Sequence, residues 1–297
     1  VQKARSVETL KTARALTLLN LSLDNATAAS QNAIKNIRAD RKLADLNETM
    51  KDLSILAEVC VNVAIEKLTI WEKEKKGVPR DKDGKEQNLI VLAMGKLGAQ
   101  ELNMSSDIDL IYCFPSHGET DGSKQEENEK YFRNLAQKLG KVLSTKTSDG
   151  FVFRVDLRLR PFGNSGSLVT SFNSMEKYLK DQARAWERYA MVKARAITGS
   201  LEDKKYIESK IKSFVYRSYF DYGVIDPIRN IKQRISTKLD NSKSNLNIKV
   251  GWGGIREIEF LGQAFQLVRG GRDIDLQERS ILKILEKLEE KNLLKKK

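Results

Sequence analysis

Two aspartates separated by one isoleucine, Asp107 and Asp109 in "SSDIDLIYCF", open the stretch most able to do chemistry. On a strand they share a face about 7 Å apart, and each disfavours the other's ionisation, so a positive group is expected between them. A third carboxylate lies in "FRVDLRLRP". Strand alternation there sets Arg154, Asp156, Arg158 and Arg160 on one face and Phe153, Val155, Leu157 and Leu159 on the other. If the two strands are neighbours, Asp107, Asp109 and Asp156 converge, and three carboxylates suit a hard cation, Mg²⁺ first. Arginines beside them suit phosphate oxygens. Together these groups describe phosphoryl or nucleotidyl transfer by a metal pair. The turn "MGKLG" adds Gly95, where backbone can approach a phosphate closely, and Lys96, a point charge. Alone, a DxD is as often a solvated pair or a calcium loop, and a GxxG is usually a plain turn. The combination carries the reading.

The elements that must position these groups follow from periodicity. Residues 1 to about 76 read as helix, with Leu56, Cys60, Val63, Leu68 and Trp71 forming one stripe before "EKEKKG". "GVPRDKDGKEQ" reads as a loop, and "NLIVLAMG" (88–95) as a strand buried on both faces. "DIDLIYCF" (107–114) is the second strand, followed by a loop with Pro115, Gly118 and Gly122 and a helix over roughly 126–144. "GFVFRVDLRLRP" (150–161) is the third strand and "GSLVTS" the fourth. Beyond Phe172 the pattern turns helical and stays so. Pro227 opens "PIRNIKQRISTKL", and "GGIREIEFLGQAFQLV" sets Ile255, Ile258, Leu261, Phe265 and Val268 on one helical face. "DNSKSNLN" is a low-complexity linker, and no internal repeat is visible. The expected fold is α+β: a helical segment over 1–80, a catalytic sheet flanked by helices over 81–172, and a C-terminal helical domain over 173–297.

Composition excludes several classes. The chain has 297 residues, 40% hydrophobic and 31% charged, and no apolar run approaches the roughly 20 residues of a spanning helix, so no membrane role is expected. It begins at Val1 and ends "LLKKK", which reads as an excerpt of a longer protein. Cys60 and Cys113 fall in apolar stretches, as buried thiols in a reducing cytoplasm do. The single histidine, His117, leaves Ser-His-Asp and Cys-His catalysis without a base and argues against His/Cys zinc sites. A net charge of +13 is dispersed along helices and suits a solvated surface, phosphate, an acidic partner or nucleic acid. Charge alone does not choose, but no aromatic stacking platform is evident, so nucleic acid is not the expected partner.

The motifs "GKLGAQELNMSSDIDLIY", "FRVDLRLRPFGNSGSLVTSF", "AWERYAMVKARAITG" and "GGIREIEFLGQAFQLVRGG" together resemble one family over about residues 88–280. It is the bifunctional glutamine synthetase adenylyltransferase family, within the nucleotidyltransferase superfamily that includes DNA polymerase β. The resemblance implies a polymerase-β-like sheet in which Asp107, Asp109 and Asp156 are the catalytic, metal-binding set. Gly95, Lys96 and Ser106 then form the nucleotide-phosphate loop, with Lys96 where superfamily relatives often carry serine, and Arg158 and Arg160 are phosphate candidates. It also implies Mg²⁺ as cofactor, a cytoplasmic location, and glutamine synthetase, the PII signal protein, nucleotide and inorganic phosphate as partners. "RLRPFGNSG", "WERYAMVKAR" and "GGIREIEF" resemble the adenylyl-removing half, which attacks adenylyl-tyrosine with phosphate and releases ADP. The ATP-dependent half, another metal-dependent transferase and a regulatory docking module are the alternatives. Trp186 and Tyr189 read as core aromatics, Glu187 and Lys193 as open nucleotide contacts, and Arg256 with Glu259 as a surface pair.

Overall fold

A computed structural model describes residues 46–104, 106–147, 150–217 and 254–294. The expectations for residues 1–45 and for "PIRNIKQRISTKL" lie outside them. The architecture is mixed α/β, a small mixed sheet with helices. Two compact units account for the described residues: one runs to Met175 and takes in Arg195–Lys204, and the other comprises Glu176–Ala194 and the residues from Lys205 on.

In the first unit, helix α1 (Leu46–Lys76) buries a stripe of Leu53, Leu56, Ala57, Cys60, Val61, Ala64 and Leu68 at three- and four-residue steps. It stops at Gly77, whose φ of +83° and close approach to Gly122 leave no room for a side chain. Strand β1 (Pro79–Asp81) then pairs antiparallel with a later strand β4 (Gly118–Thr120) in a two-stranded ribbon. Both segments read as loops in the sequence, because each is short and polar. The ribbon is fixed instead by Asp121, which accepts from Val78 N–H and Arg80 Nε, and by Gly118, where a Cβ would strike the Arg80 carbonyl.

The main sheet is built around β3 (Ile108–Phe114). It pairs antiparallel with β2 (Ile90–Ala93), bringing Ile90 opposite Cys113 and Ala93 opposite Leu110. On its other edge β3 pairs in parallel with two short strands in succession: β5 (Val155–Asp156) at its start and β6 (Val169–Ser171) at its end. Residues 157–168 leave the sheet between them. Helix α2 (Gly95–Gly98) follows β2, and α3 (Asn128–Ser144) presents Tyr131, Phe132, Leu135, Ala136, Leu139 and Leu143 to the same core as α1. Leu89, Val91, Ala93, Ile108, Leu110, Tyr112 and Phe114 face that core, and the alternate residues Ile90, Leu92, Ile111 and Cys113 are also buried. The continuous apolar runs are therefore strands covered on both faces. Both cysteines are buried free thiols.

Two further expectations, on the third strand and on the chain beyond Phe172, are corrected. The third strand does not run over 150–161 but is confined to Val155–Asp156. The Asp156 carboxylate accepts the Arg158 N–H at 2.9 Å, an Asx turn that bends the chain out of the sheet where alternation alone continued it. Nor does the chain stay helical beyond Phe172. After α4 (Phe172–Asp181) and α5 (Ala185–Met191), strand β7 (Arg195–Ala196) returns to pair antiparallel with β2. "KARA" is made of good helix formers, and tertiary pairing overrides their propensity.

The second unit contains α6 (Leu201–Val215, beginning in the first unit), α7 (Ile255–Arg269) and α8 (Ile281–Glu290). The face of α7 picked out by periodicity is buried only in part, where Phe265 packs against Leu276, Ile284 and Leu288. Ile255, Ile258 and Leu261 are exposed, while Phe260, Gln263, Gln266 and Leu267 are buried. Gly262 sets this orientation, since a Cβ there would lie 2.6 Å from the Ile281 side chain of α8. Gln266 is accommodated because its amide donates to the Leu276 and Glu278 carbonyls. No helix among the described residues is long and apolar enough to cross a membrane.

Candidate active site

The start of β3 is where the chemistry gathers. Asp109 and Asp156 are register partners on parallel strands, so their side chains leave the same face of the sheet side by side. Asp107, two residues before Asp109, lies on that face as well, away from the α1–α3 core. Its carboxylate accepts from Arg154 Nε, and Arg154 also stands over the Phe151 ring. Asp156 is gripped by Arg158, whose Nε lies 3.0 and 2.9 Å from the two carboxylate oxygens. The Arg158 side-chain hydrogen bonds hold the Asp156 carboxyl below the usual carboxylate range, with a further contribution from its backbone N–H, against the opposing effect of burial.

The glycine turn abuts this face. Gly95 has φ +52°, and a Cβ there would come 3.0 Å from Asp109 Oδ2; Met94 N–H donates to the Asp109 carbonyl at 2.9 Å. Substitution would both strain the backbone and press on the carboxylate. Helix α2 is one turn long and ends in a Schellman motif. Glu101 N–H reaches the Lys96 carbonyl at 2.8 Å and Gln100 N–H the Leu97 carbonyl at 3.1 Å. The left-handed position usual for glycine is filled by Gln100, φ +60°. Such a residue costs about 1 kcal/mol and persists where its surroundings over-determine it.

The predicted residues divide accordingly. Asp109, Asp156 and Gly95 are brought together, Asp107 stands two residues before Asp109 with its carboxylate on Arg154, and Lys96 is beside Gly95 in the turn. Ser106 stands just before Asp107, its hydroxyl donating to Asn103 Oδ1. Arg158, 74% exposed, holds Asp156 from outside the sheet. Arg160 is directed elsewhere: its guanidinium donates to the carbonyls of Leu157, Asn164 and Gly166, tying the 157–168 excursion to itself. That is a loop-holding use. Oxygen-only donors of this kind have the chemistry for a hard divalent cation. As the side chains stand, two of the three carboxylates face arginines, and among the described residues no three His, Cys, Asp or Glu side chains are grouped to hold a metal. His117 is exposed and meets Phe114 edge-on, with no link to this face.

The model of the family described as glutamate-ammonia ligase adenylyltransferase matches residues 29–210. The chain belongs to that family. The bifunctional glutamine synthetase adenylyltransferase/adenylyl-removing enzymes of Nitrosococcus oceani and Pseudomonas aeruginosa are each 50% identical to it, over 253 and 248 residues, 84% and 83% of this chain. The enzyme of the same description from Methylococcus capsulatus is 50% identical over 252 residues, 85% of the chain. The matched part is 26%, 25% and 27% of those three proteins, so the chain spans about a quarter of the length of the curated relatives it matches. A second model, described as GlnD PII-uridylyltransferase, matches residues 228–297.

For this member of the adenylyltransferase family, sequence reasoning passed over three side chains that bear on the site. Arg154 was placed on the right face but given no partner. Arg195 donates to the Gly98 carbonyl at 3.0 Å and the Leu97 carbonyl at 3.1 Å, and pairs with Glu58 of α1. The alternation of Lys193 and Arg195 with Ala194 and Ala196 was the available signal for β7.

Proposed function

We propose that this chain is the adenylyl-removing half of its family: inorganic phosphate attacks the phosphorus of adenylyl-tyrosine on glutamine synthetase, the bond to the tyrosine oxygen breaks, and ADP and free tyrosine are released. The observation that carries the reading is the parallel register of Asp109 and Asp156, with the positive-φ turn at Gly95 against Asp109. In this reading the sheet is of the polymerase-β-like nucleotidyltransferase kind, and Asp107, Asp109 and Asp156 would hold Mg²⁺. Bound there, the cation would supply charge neutralisation for the phosphates and for the departing phenolate. The remaining work belongs to the chain. Gly95 lets backbone approach the phosphates without a side chain between. Lys96 and Arg158 supply positive charge for two anions that otherwise repel. Arg158 is exposed enough to turn from Asp156 to an incoming phosphate, and Arg154 stands in the same relation to Asp107. The resemblance of "RLRPFGNSG" (with Phe162), "WERYAMVKAR" and "GGIREIEF" to the removing half supports the direction. The match of residues 228–297 supports PII signal protein as the regulator.

The test uses the protein at its natural length with adenylylated glutamine synthetase, Mg²⁺ and phosphate, following ADP. Asp107→Asn should abolish phosphate-dependent ADP release and spare any transfer of AMP from ATP to unmodified glutamine synthetase. The opposite pattern, with transfer lost and removal kept, assigns the chain to the ATP-dependent half.

A further inference from the structure

One face of α1 is polar where the neighbouring stripe is core. Ser54, Glu58 and Asn62 recur every four residues, so they stack along the helix beside Leu53, Ala57 and Val61. Ser54 and Glu58 reach the segment that follows the glycine turn, and Asn62 reaches the residue after β7. The buried Ser54 hydroxyl accepts the Leu102 N–H at 3.0 Å while donating to the Met50 carbonyl. Glu58 receives the Gln100 amide at 3.4 Å and takes Arg195 in a two-point pair, Nη2 to Oε1 at 2.5 Å and Nη1 to Oε2 at 3.2 Å. Asn62 donates to the Ile197 carbonyl at 3.2 Å. Arg195 in turn donates to the Leu97 and Gly98 carbonyls, which end the one-turn helix. A guanidinium is the one side chain able to serve two carbonyls and a carboxylate in one plane.

The geometry points to Arg195, braced by Glu58, as a positioning residue that sets the conformation of residues 95–102 and thereby the seat of the phosphate turn against Asp109. The strained conformation of Gln100 is what such a brace must hold, and the Glu58 contact falls on that residue. The functional half of this inference rests on the nucleotidyl-transfer reading above; the mechanical half does not.

The experiment takes the protein at natural length as wild type, Arg195→Lys, Glu58→Gln and the double variant. It measures backbone hydrogen exchange, thermal midpoint and the affinity for a fluorescent ADP. Lysine can reach only part of the arrangement, and glutamine removes the charge that orients the guanidinium. Each single variant should speed exchange at residues 97–102 by about tenfold or more while α3 keeps its protection. ADP affinity should fall by about fivefold or more, and the double variant should lose little beyond either single one, because the two act as a unit. Exchange at 97–102 left unchanged, or additive losses with general destabilisation, would overturn the inference by reducing the pair to a fastening of helix on sheet. If the exchange result holds but wild type binds no ADP, the brace stands and the nucleotide reading falls.

Discussion

The start of β3 and the packed interior of the helical unit use ion-pairing residues in opposite ways. In the sheet unit, the charges at the start of β3 stand in water: Arg154, Arg158 and Asp107 are all about half exposed or more, and the core beneath them is apolar. In the helical unit, charge goes inside. Arg188 is buried and donates to the Val215 and Leu267 carbonyls; Glu187 accepts from Tyr178 Oη and Arg184 N–H; Lys193 pairs with Glu259 at 2.8 Å. Glu259 is thereby tied to Lys193, whereas the three-residue spacing in the sequence joins it to Arg256. An exposed pair can exchange partners at little cost, as a ligand site requires, whereas a buried one is committed to its architecture.

That contrast can be broken at four points. Arg188→Ala should have the largest effect, removing about 3 kcal/mol of stability because two buried carbonyls lose a charged donor; calorimetry should show early unfolding, and a variant melting with the wild type would erase the distinction between the units. Asp109→Asn should do the reverse, keeping or slightly raising the melting point while cutting turnover by about a hundredfold, roughly 2.7 kcal/mol in barrier. A variant with a tenth of wild-type turnover left would show that the carboxylate is not central.

Gly95→Ala sits between the two classes, since it strains a positive-φ position and crowds Asp109 Oδ2. About 1–2 kcal/mol of stability should be lost, with phosphate-dependent turnover falling more steeply than the melting point suggests; urea unfolding beside kinetics separates the two. The smallest effect is in pH. Arg158 holds the Asp156 pKa low, so the stabilisation is complete above the unfolded carboxylate pKa of about 3.9 and is lost as pH falls through the lower folded value. The melting difference between wild type and Arg158→Ala should therefore be constant near neutrality and close below about pH 4. A difference that widens in acid would contradict the pairing.

What could be read from the residues alone follows from where the information is local. The strands β2 and β3 and helix α3 declare themselves by burial pattern, to within about two residues of their ends. The two aspartates and Gly95 were legible because their spacing and the turn are set within one short stretch. Asp156 was legible in kind, but its strand ends in an Asx turn made by its own side chain, a competition between local hydrogen bonding and sheet that alternation does not register. Arg160 was placed on a strand that had already ended, for the same reason. Glu58 and Arg195 lie 137 positions apart, and only the tertiary structure makes them one device. On α7 the periodicity was right but the side only partly so, because a glycine, silent in any hydrophobic count, helps decide which face meets α8.

The divided edge of the sheet has a consequence for how this molecule could change. Strands β5 and β6 are each anchored to β3 independently, at its two ends, and beyond Arg158, which grips Asp156, residues 159–168 only join them. Lengthening such a joined excursion costs only about 0.6 kcal/mol for each doubling. Its tip, with exposed Phe162, can therefore be rewritten by insertion, deletion or grafting while Asp109 and Asp156 stay in register. The sheet is a fixed chassis, and that segment is its interchangeable part.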